Sequence, residues 1–288
     1  MEIALVVLNY NDLDTTRNFI NSVKDYDSFF KIIVVDNCST DNSFSVLMQS
    51  KSQKIDIIKT ERNGGYAYGN NFGIKYALRN FGISYFIIAN PDVHFDNKII
   101  NEMIKVYNEI EKVGIVAPRM ISEQNGTLES WKLPTFFDTI KSLFFLNRFF
   151  QRENKKARKT SKYILVEVLP GSFFMISTEA IKNINYFDER TFLYMEENVL
   201  GYRLKQHGYK NVLIPDITYY HSHSVSINRN LNLIKKYKTL INSTRIYNNY
   251  YLKINFLQKL LFHLFAELSI IEKHIFLKVL EIKNDLYR

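Results

Sequence analysis

The chain has a single cysteine, Cys38, among 288 residues. That excludes an intrachain disulfide and fits a reducing compartment. Proline and glycine are scarce, at five and ten residues, and no low-complexity tract or internal repeat is present. Apolar runs never reach the roughly 18 residues that a membrane-crossing helix needs. The opening MEIALVVLNYNDLD has no basic stretch ahead of its one short apolar run, so it reads as a first strand rather than a signal peptide.

Hydrophobic residues make up 46% of the chain and aromatics 15%. This is a folding composition, long enough for one large domain or a domain with an appendage. The net charge of +9 is unevenly placed. Residues 141 to 162 hold eight Lys/Arg against one acid, and residues 226 to 288 hold eleven against four, which leaves −5 for the rest. Such surfaces suit phosphates, nucleic acid or an anionic membrane, or are solvated faces without a partner.

Over the first ~120 residues short apolar runs alternate with helical spacing. Strands are predicted at 3–8, 31–36, 55–60, 85–90 and 114–120. Helices are predicted at 15–23, 41–49, 68–80 and 98–111. This alternation predicts an α/β fold with a parallel sheet flanked by helices, and ligands of such sheets sit beyond the carboxyl ends of the strands. Residues 164–177 return to strand, 196–207 form a helix, VLIPDITYYH is extended, and the pattern from about 230 is helical. The domain reading is therefore a catalytic unit over 1–228 and a basic, amphipathic helical extension over 229–288.

The chemically suggestive residues fall at the predicted strand ends. Asp36 closes KIIVVD, where a carboxylate can accept the imide N–H of uracil or thymine, and Asn37 opens the polar cluster after it. Asn63-Gly64-Gly65 allows tight turns before a helix N-terminus, which favours phosphate; an ordinary strand-to-helix turn would look the same. Asn90-Pro91-Asp92 follows YFIIA, and Asp92 offers the hard oxygen that Mg²⁺ or Mn²⁺ prefers; Asn-Pro-Asp is also turn chemistry. Glu196 and Glu197 are adjacent, each raising the other's pKa as suits a general base, or they are helix N-terminal acids answering the macrodipole. His221 and His223 end the late extended segment, where an imidazole can ligate a divalent ion.

In this order VVLNYN, VVDNCSTDNS, ERNGGYAYGNNFGI, IANPDV, LPGSFFMIS, FDERTFLYMEE and YYHSHSVS resemble the inverting family 2 glycosyltransferases, in particular the bacterial rhamnosyltransferase-like, capsule and O-antigen branch. The match spans about residues 3 to 228. The resemblance implies a GT-A fold, a mostly parallel sheet flanked by helices, and a nucleoside-diphosphate sugar donor, UDP- or dTDP-linked. It implies that Asn9, Asp36, Asn37, Asn63, Gly64, Asn70, Asn71 and Asn90 line the nucleotide-sugar side. Asp92 stands at the last Asp of the family's metal motif, with Asn90 at the first, and His221 is a second candidate metal ligand. Glu197 stands where the family has the catalytic base. The branch often carries an Asp two residues later, where this chain has Val199, so Glu196 and Glu197 both remain candidates.

The implied reaction is transfer to a hydroxyl of a glycan or lipid-linked saccharide, with inversion. A sugar-binding pseudoenzyme or scaffold would lack carboxylates at these places; Asp92, Glu196 and Glu197 are all present. A nucleotidyltransferase would want a glycine-rich, basic loop near the N-terminus, and LNYNDLDT is not one. No nucleic-acid-binding motif accompanies the positive charge, so no nucleic-acid partner is expected. From Phe256 to Ile275 apolar residues recur every three or four positions, a stripe that suits packing on the rest of the chain, a homodimer, or a membrane surface. With the basic segments beside it, the stripe predicts a cytoplasmic protein peripheral to the inner face of the membrane.

Overall fold

The computed structural model describes residues 1–122, 126–144, 161–222 and 233–286. In chain order the elements are β1 (Ile3–Asn9), α1 (Leu13–Val23), β2 (Lys31–Asp36), α2 (Ser43–Leu47), β3 (Ile55–Lys59), α3 (Gly65–Asn80), β4 (Tyr85–Ala89), β5 (Val93–His94), α4 (Lys98–Glu109), β6 (Val113–Ser122), β7 (Gly126–Leu128) and α5 (Phe136–Leu143). They continue as β8 (Ile164–Val166), β9 (Phe173–Ser177), α6 (Thr178–Asn183), α7 (Glu196–Gln206), β10 (Lys210–His221), α8 (Leu233–Ile246), a π-helical turn at Tyr247–Tyr251, and α9 (Phe256–Leu286).

The sheet order is β3-β2-β1-β4-β9-β6-β10-β5. β1 is parallel to β2 and β4, and β2 to β3. β9 enters antiparallel between β4 and β6, and β10 then runs parallel to β6. The continuous apolar run of β1 follows from burial on both faces. Leu5 and Val7 point into one core with Phe19, Ile32 and Val34, while Ala4 and Val6 point into a second with Ile33, Ile74 and Phe174. Gly73 lets α3 lie close on the sheet: a Cβ there would stand 2.7 Å from Val6 Cγ1 and 2.8 Å from Val35 Cγ2.

Three elements differ from the sequence reading. The expected strand over 164–177 is two strands with different partners, because Leu169–Ser172 crosses from the β10 edge to the gap between β4 and β6. α3 starts at Gly65 rather than Tyr68. Gly65 opens it with φ +86°, and a Cβ there would overlap the Phe192 carbonyl. β5 was not foreseen; it is two residues long and pairs antiparallel with the end of β10.

A third apolar cluster joins α5, α8 and α9 through Phe136, Leu143, Ile241, Ile254, Phe262 and Ala266. The stripe marked by the periodicity of α9 is not the face that packs there. Phe256, Leu257, Leu260, Leu264, Leu268, Ile271 and Ile275 are all exposed, and of that stripe Phe265 turns inward, its ring 5.9 Å from Phe144. Most of the basic stretch 141–162 lies outside the described residues, as does His223. No helix among the described residues is long and apolar enough to cross a membrane.

Candidate active site

The ends of β1 and β2 meet in register, Asn9 opposite Asp36. Asn9 is fully buried, donates through Nδ2 to Asp36 Oδ2 (2.9 Å) and to Ser39 Oγ (3.0 Å), and accepts from Thr16 Oγ1 (2.9 Å). The other Asp36 oxygen accepts from the Ser39 N–H at 2.9 Å. Asp36 is fully buried, and its carboxylate pins the Asn37–Thr40 turn. Asn37 Nδ2 donates to Asn63 Oδ1 and to the Gly65 carbonyl, both at 3.1 Å, while Asn63 Oδ1 also accepts from the Gly65 N–H. These bonds tie the end of β2 to the start of α3, with Gly64 between. Asn70, also buried, donates to the Tyr66 carbonyl at 3.0 Å.

Asn71 sits elsewhere. Its Nδ2 donates to the Phe187 carbonyl (2.9 Å) and Glu189 Oε1 (2.7 Å), and its Oδ1 accepts from the Phe187 N–H. One helical step from Asn70 turns it by about 100°, away from the strand ends and onto the segment that leads to α7.

At the end of β4, the Asn90 N–H donates to the Ser172 carbonyl at 2.8 Å. The short β5 pairs Val93 with His221, and this register brings Asp92 Oδ1 to 3.2 Å from His221 Nε2. Both side chains are nearly buried. A carboxylate oxygen and an imidazole nitrogen so close are a donor set that a divalent cation accepts. Among the described residues no group of three or more His, Cys, Asp or Glu could hold a metal.

Glu196 and Glu197 open α7 immediately after Tyr194 (φ 71°) and Met195 (φ 65°). Two successive non-glycine residues in the left-handed region cost about 1–3 kcal/mol each and persist only where surroundings over-determine them. Glu197 packs on Gly171, where a Cβ would stand 2.9 Å from Glu197 Cγ. Gly171 accepts from the Tyr66 hydroxyl at 2.7 Å, and the next residue, Ser172, hydrogen-bonds the Tyr219 hydroxyl at 2.8 Å. Burial raises the Glu197 carboxyl above the usual carboxylate range, against the pull of its own and the Gly171 N–H groups. Glu196 lines an internal void of about 10 Å³ with Ala67, Leu200 and Arg203, and its Oε2 is buried without a hydrogen-bond partner. Burial, then the Glu197 charge, holds its pKa well above the ordinary value. Burial first, and then the charges of Glu197 and Asp92, raise the Tyr219 hydroxyl, against its hydrogen bond with Ser172.

The sequence reading missed Asn11, Ser39, Tyr66 and Tyr219. All four lie inside motifs already singled out: Asn11 in VVLNYN, Ser39 in VVDNCSTDNS, Tyr66 in ERNGGYAYGNNFGI and Tyr219 in YYHSHSVS. Within its motif Tyr219 did not stand out, since an aromatic in an extended run is ordinary core.

The solved structures most like this one include GalNAc-T7 with UDP, GalNAc and Mn²⁺ (TM-score 0.60, 15% identity, 86% of this chain and 48% of that one). Staphylococcus aureus TarS with UDP-GlcNAc is another (TM-score 0.57, 13% identity, 90% and 69%). The fold is accordingly that of the GT-A glycosyltransferases. At the level of sequence, the model described as "Glycosyl transferase family 2" matches residues 4–184, and the chain belongs to that family. The matched region ends before Glu196. Among relatives, the low-salt glycan biosynthesis hexosyltransferase Agl10 of Haloferax volcanii is 26% identical over 207 residues, 71% of this chain and 62% of that protein. The Mycobacterium tuberculosis N-acetylglucosaminyl-diphospho-decaprenol L-rhamnosyltransferase is 24% identical, over 67% of each chain. The Escherichia coli rhamnosyltransferase WbbL is 22% identical, over 74% of this chain and 80% of its own.

Proposed function

We propose that this chain is an inverting hexosyltransferase that moves a sugar from a UDP- or dTDP-linked donor to a hydroxyl of a glycan or lipid-linked saccharide, in cell-surface polysaccharide synthesis of the capsule or O-antigen kind. The observation that carries the reading is the linkage of three groups of side chains, the Asp92–His221 pair, the Asn9–Asp36–Asn37–Asn63 cluster and Glu197 against Gly171, through the Asn37–Gly65, Tyr66–Gly171 and Asn90–Ser172 hydrogen bonds. In this reading residues 1–228 are the catalytic unit and residues 229–288 its helical extension. Asn9, Asp36, Asn37, Asn63, Gly64, Asn70 and Asn90 shape the nucleotide-sugar side. Asn71 acts at one remove, through the Phe187–Glu189 segment.

Glu197 is the base. It takes the proton of the acceptor hydroxyl, whose oxygen forms a bond to the anomeric carbon as the bond to the diphosphate oxygen breaks on the opposite face. The nucleoside diphosphate leaves, and configuration inverts. The support for Glu197 over Glu196 is its contact with Gly171, next to Ser172 and its hydrogen bond to the Tyr219 hydroxyl, whereas Glu196 lines the void near Arg203. Asp92 and His221 would hold Mg²⁺ or Mn²⁺, which when bound offsets charge on the departing diphosphate. The test is thermal shift with UDP- and dTDP-sugars, with and without Mn²⁺. A donor that raises the midpoint only with Mn²⁺, and no longer does so in Asp92→Asn, is the expected result. Equal shifts with and without the ion would remove the metal from the proposal.

The exposed face of α9 is assigned to an anionic lipid surface on the cytoplasmic side. α9 itself is balanced, with Lys259, Lys273, Lys278 and Lys283 against Glu267, Glu272, Glu281 and Asp285; the basic excess of residues 226–288 lies mostly ahead of it, between Arg229 and Lys253, and is complementary to anionic headgroups. Flotation on vesicles containing phosphatidylglycerol, lost in high salt and on Leu260→Glu plus Leu264→Glu, is expected. A stable dimer and no flotation would replace the membrane by a second copy.

A further inference from the structure

The C-terminal helices do more than fill space behind the sheet. Ser243, buried on α8, donates its hydroxyl to the Leu193 carbonyl at 2.7 Å. Tyr251, in the π-helical turn, donates its hydroxyl to the Asp188 carboxylate and accepts from Arg190 Nη2 at 3.2 Å. Arg190 is held in turn by Asp188 through Nε, at 2.9 and 3.0 Å, and lies 3.9 Å above the Tyr250 ring. Tyr247 and Tyr251 stack with centroids 6.0 Å apart and pack on Val199, beside Met195 and Tyr202. These contacts fall at both ends of residues 188–195, the segment whose last two residues take left-handed backbone just before the acids. Contacts made only for volume would be apolar. Here a backbone carbonyl and a carboxylate are each gripped by a hydroxyl, which fixes position, and π-turns recur at functional sites.

We infer that Ser243 and Tyr251 are positioning residues for the transfer, by which the C-terminal helices set the 188–195 segment and hence the place of Glu197. The inference rests on Glu197 as the base. Asn9, Asn37 and Asp92 are held by the strand ends, but the segment also meets the nucleotide side, where the Tyr66 N–H donates to the Phe192 carbonyl and Asn71 Nδ2 to Glu189 Oε1, so the clamp acts on turnover first and on donor binding to a smaller extent.

The experiment measures donor turnover as UDP or dTDP released, with the donor chosen by thermal shift, in Ser243→Ala, Tyr251→Phe and Ile241→Val. Ile241 is buried in the α5–α8–α9 cluster, none of whose members belongs to the segment, so its truncation tests packing of α8 in that cluster. Expected are kcat losses of about tenfold to a hundredfold in the two hydroxyl variants with a smaller rise in donor KM, and wild-type kcat in Ile241→Val. A second readout does not depend on activity. Trp131, the only tryptophan, donates its indole N–H to Asn198 Oδ1 at 2.8 Å, one residue beyond Glu197. Its emission should become more quenchable by acrylamide in Ser243→Ala and Tyr251→Phe and not in Ile241→Val. Wild-type kcat and quenching in both hydroxyl variants, or equal losses in Ile241→Val, overturn the clamp. If Glu197→Gln keeps full turnover, the assignment of the base falls, and the Trp131 signal still decides whether the clamp exists.

Discussion

The asparagine side of the site and the acid side are built on opposite terms. At the ends of β1 and β2 the Asn9, Asp36 and Asn37 side chains are buried and paired with side chains or backbone, and the left-handed residues there, Asn11 and Cys38, lie past the strand ends. At the start of α7 two carboxylates adjoin each other, one oxygen of Glu196 has no partner, and the preceding two residues are left-handed. A nucleotide has to be received by a surface of fixed shape, and a satisfied polar network supplies that. A base needs a carboxyl whose proton affinity is raised, and crowding and burial supply that at a cost in stability.

The sharpest way to break the contrast is Glu197→Gln. Transfer should fall by about 10²–10⁴-fold while the donor-induced thermal shift persists. In the unaltered chain the acid limb of the rate profile should lie above the ordinary Glu value of 4.5, because a raised pKa means the base is lost to protonation at a higher pH. Full turnover in Glu197→Gln with loss in Glu196→Gln would move the base by one residue.

Next in size is Asn9→Asp, which keeps shape but removes both donors and sets a carboxylate against the buried Asp36. A loss of about 3–5 kcal/mol is expected for such an unpaired buried charge, a drop of roughly ten degrees in thermal midpoint. An unchanged midpoint would mean that the network is not what stiffens this end of the sheet.

The smallest effect, and opposite in sign, belongs to Glu196→Gln. The folded pKa of Glu196 is raised, so the folded chain binds this proton more tightly than the unfolded one, and stability falls as pH rises through the unfolded value toward the folded one. Removing the charge should therefore raise the midpoint at pH 7–8, by about one to three degrees, and do nothing near pH 4. A lower midpoint at pH 7 would show that the carboxylate is stabilising.

The sequence displayed the sheet and the strand-end residues well because both follow local rules. Runs such as IALVVL and KIIVVD are apolar throughout since both sheet faces are covered, and Asp36 and Asp92 come straight after such runs. What depends on distant pairing was not legible. Nothing in PGSFFMIS says that β9 runs against its neighbours, and two residues at Val93 give no periodicity from which to read β5. The side of α3 on which Asn71 falls depends on where that helix begins, and Gly65 set the start three residues early. The stripe on α9 was visible, but which face meets the protein was decided by Phe262, Ala266 and Phe144 rather than by the stripe itself.

The placement of β9 also has a consequence for biosynthesis. As the chain emerges, β3, β2, β1 and β4 can pair once residue 89 is made, yet β4 then has one open edge, because its other partner is residues 173–177. β6 is synthesised earlier but belongs one strand further out, and docking it directly on β4 would close the sheet wrongly. The nascent protein therefore carries a hydrophobic strand edge, a template for pairing with other chains, across more than eighty residues of translation. Slow elongation between β4 and β9 should lengthen that exposure and lower soluble yield, and a chain interrupted before residue 173 should aggregate.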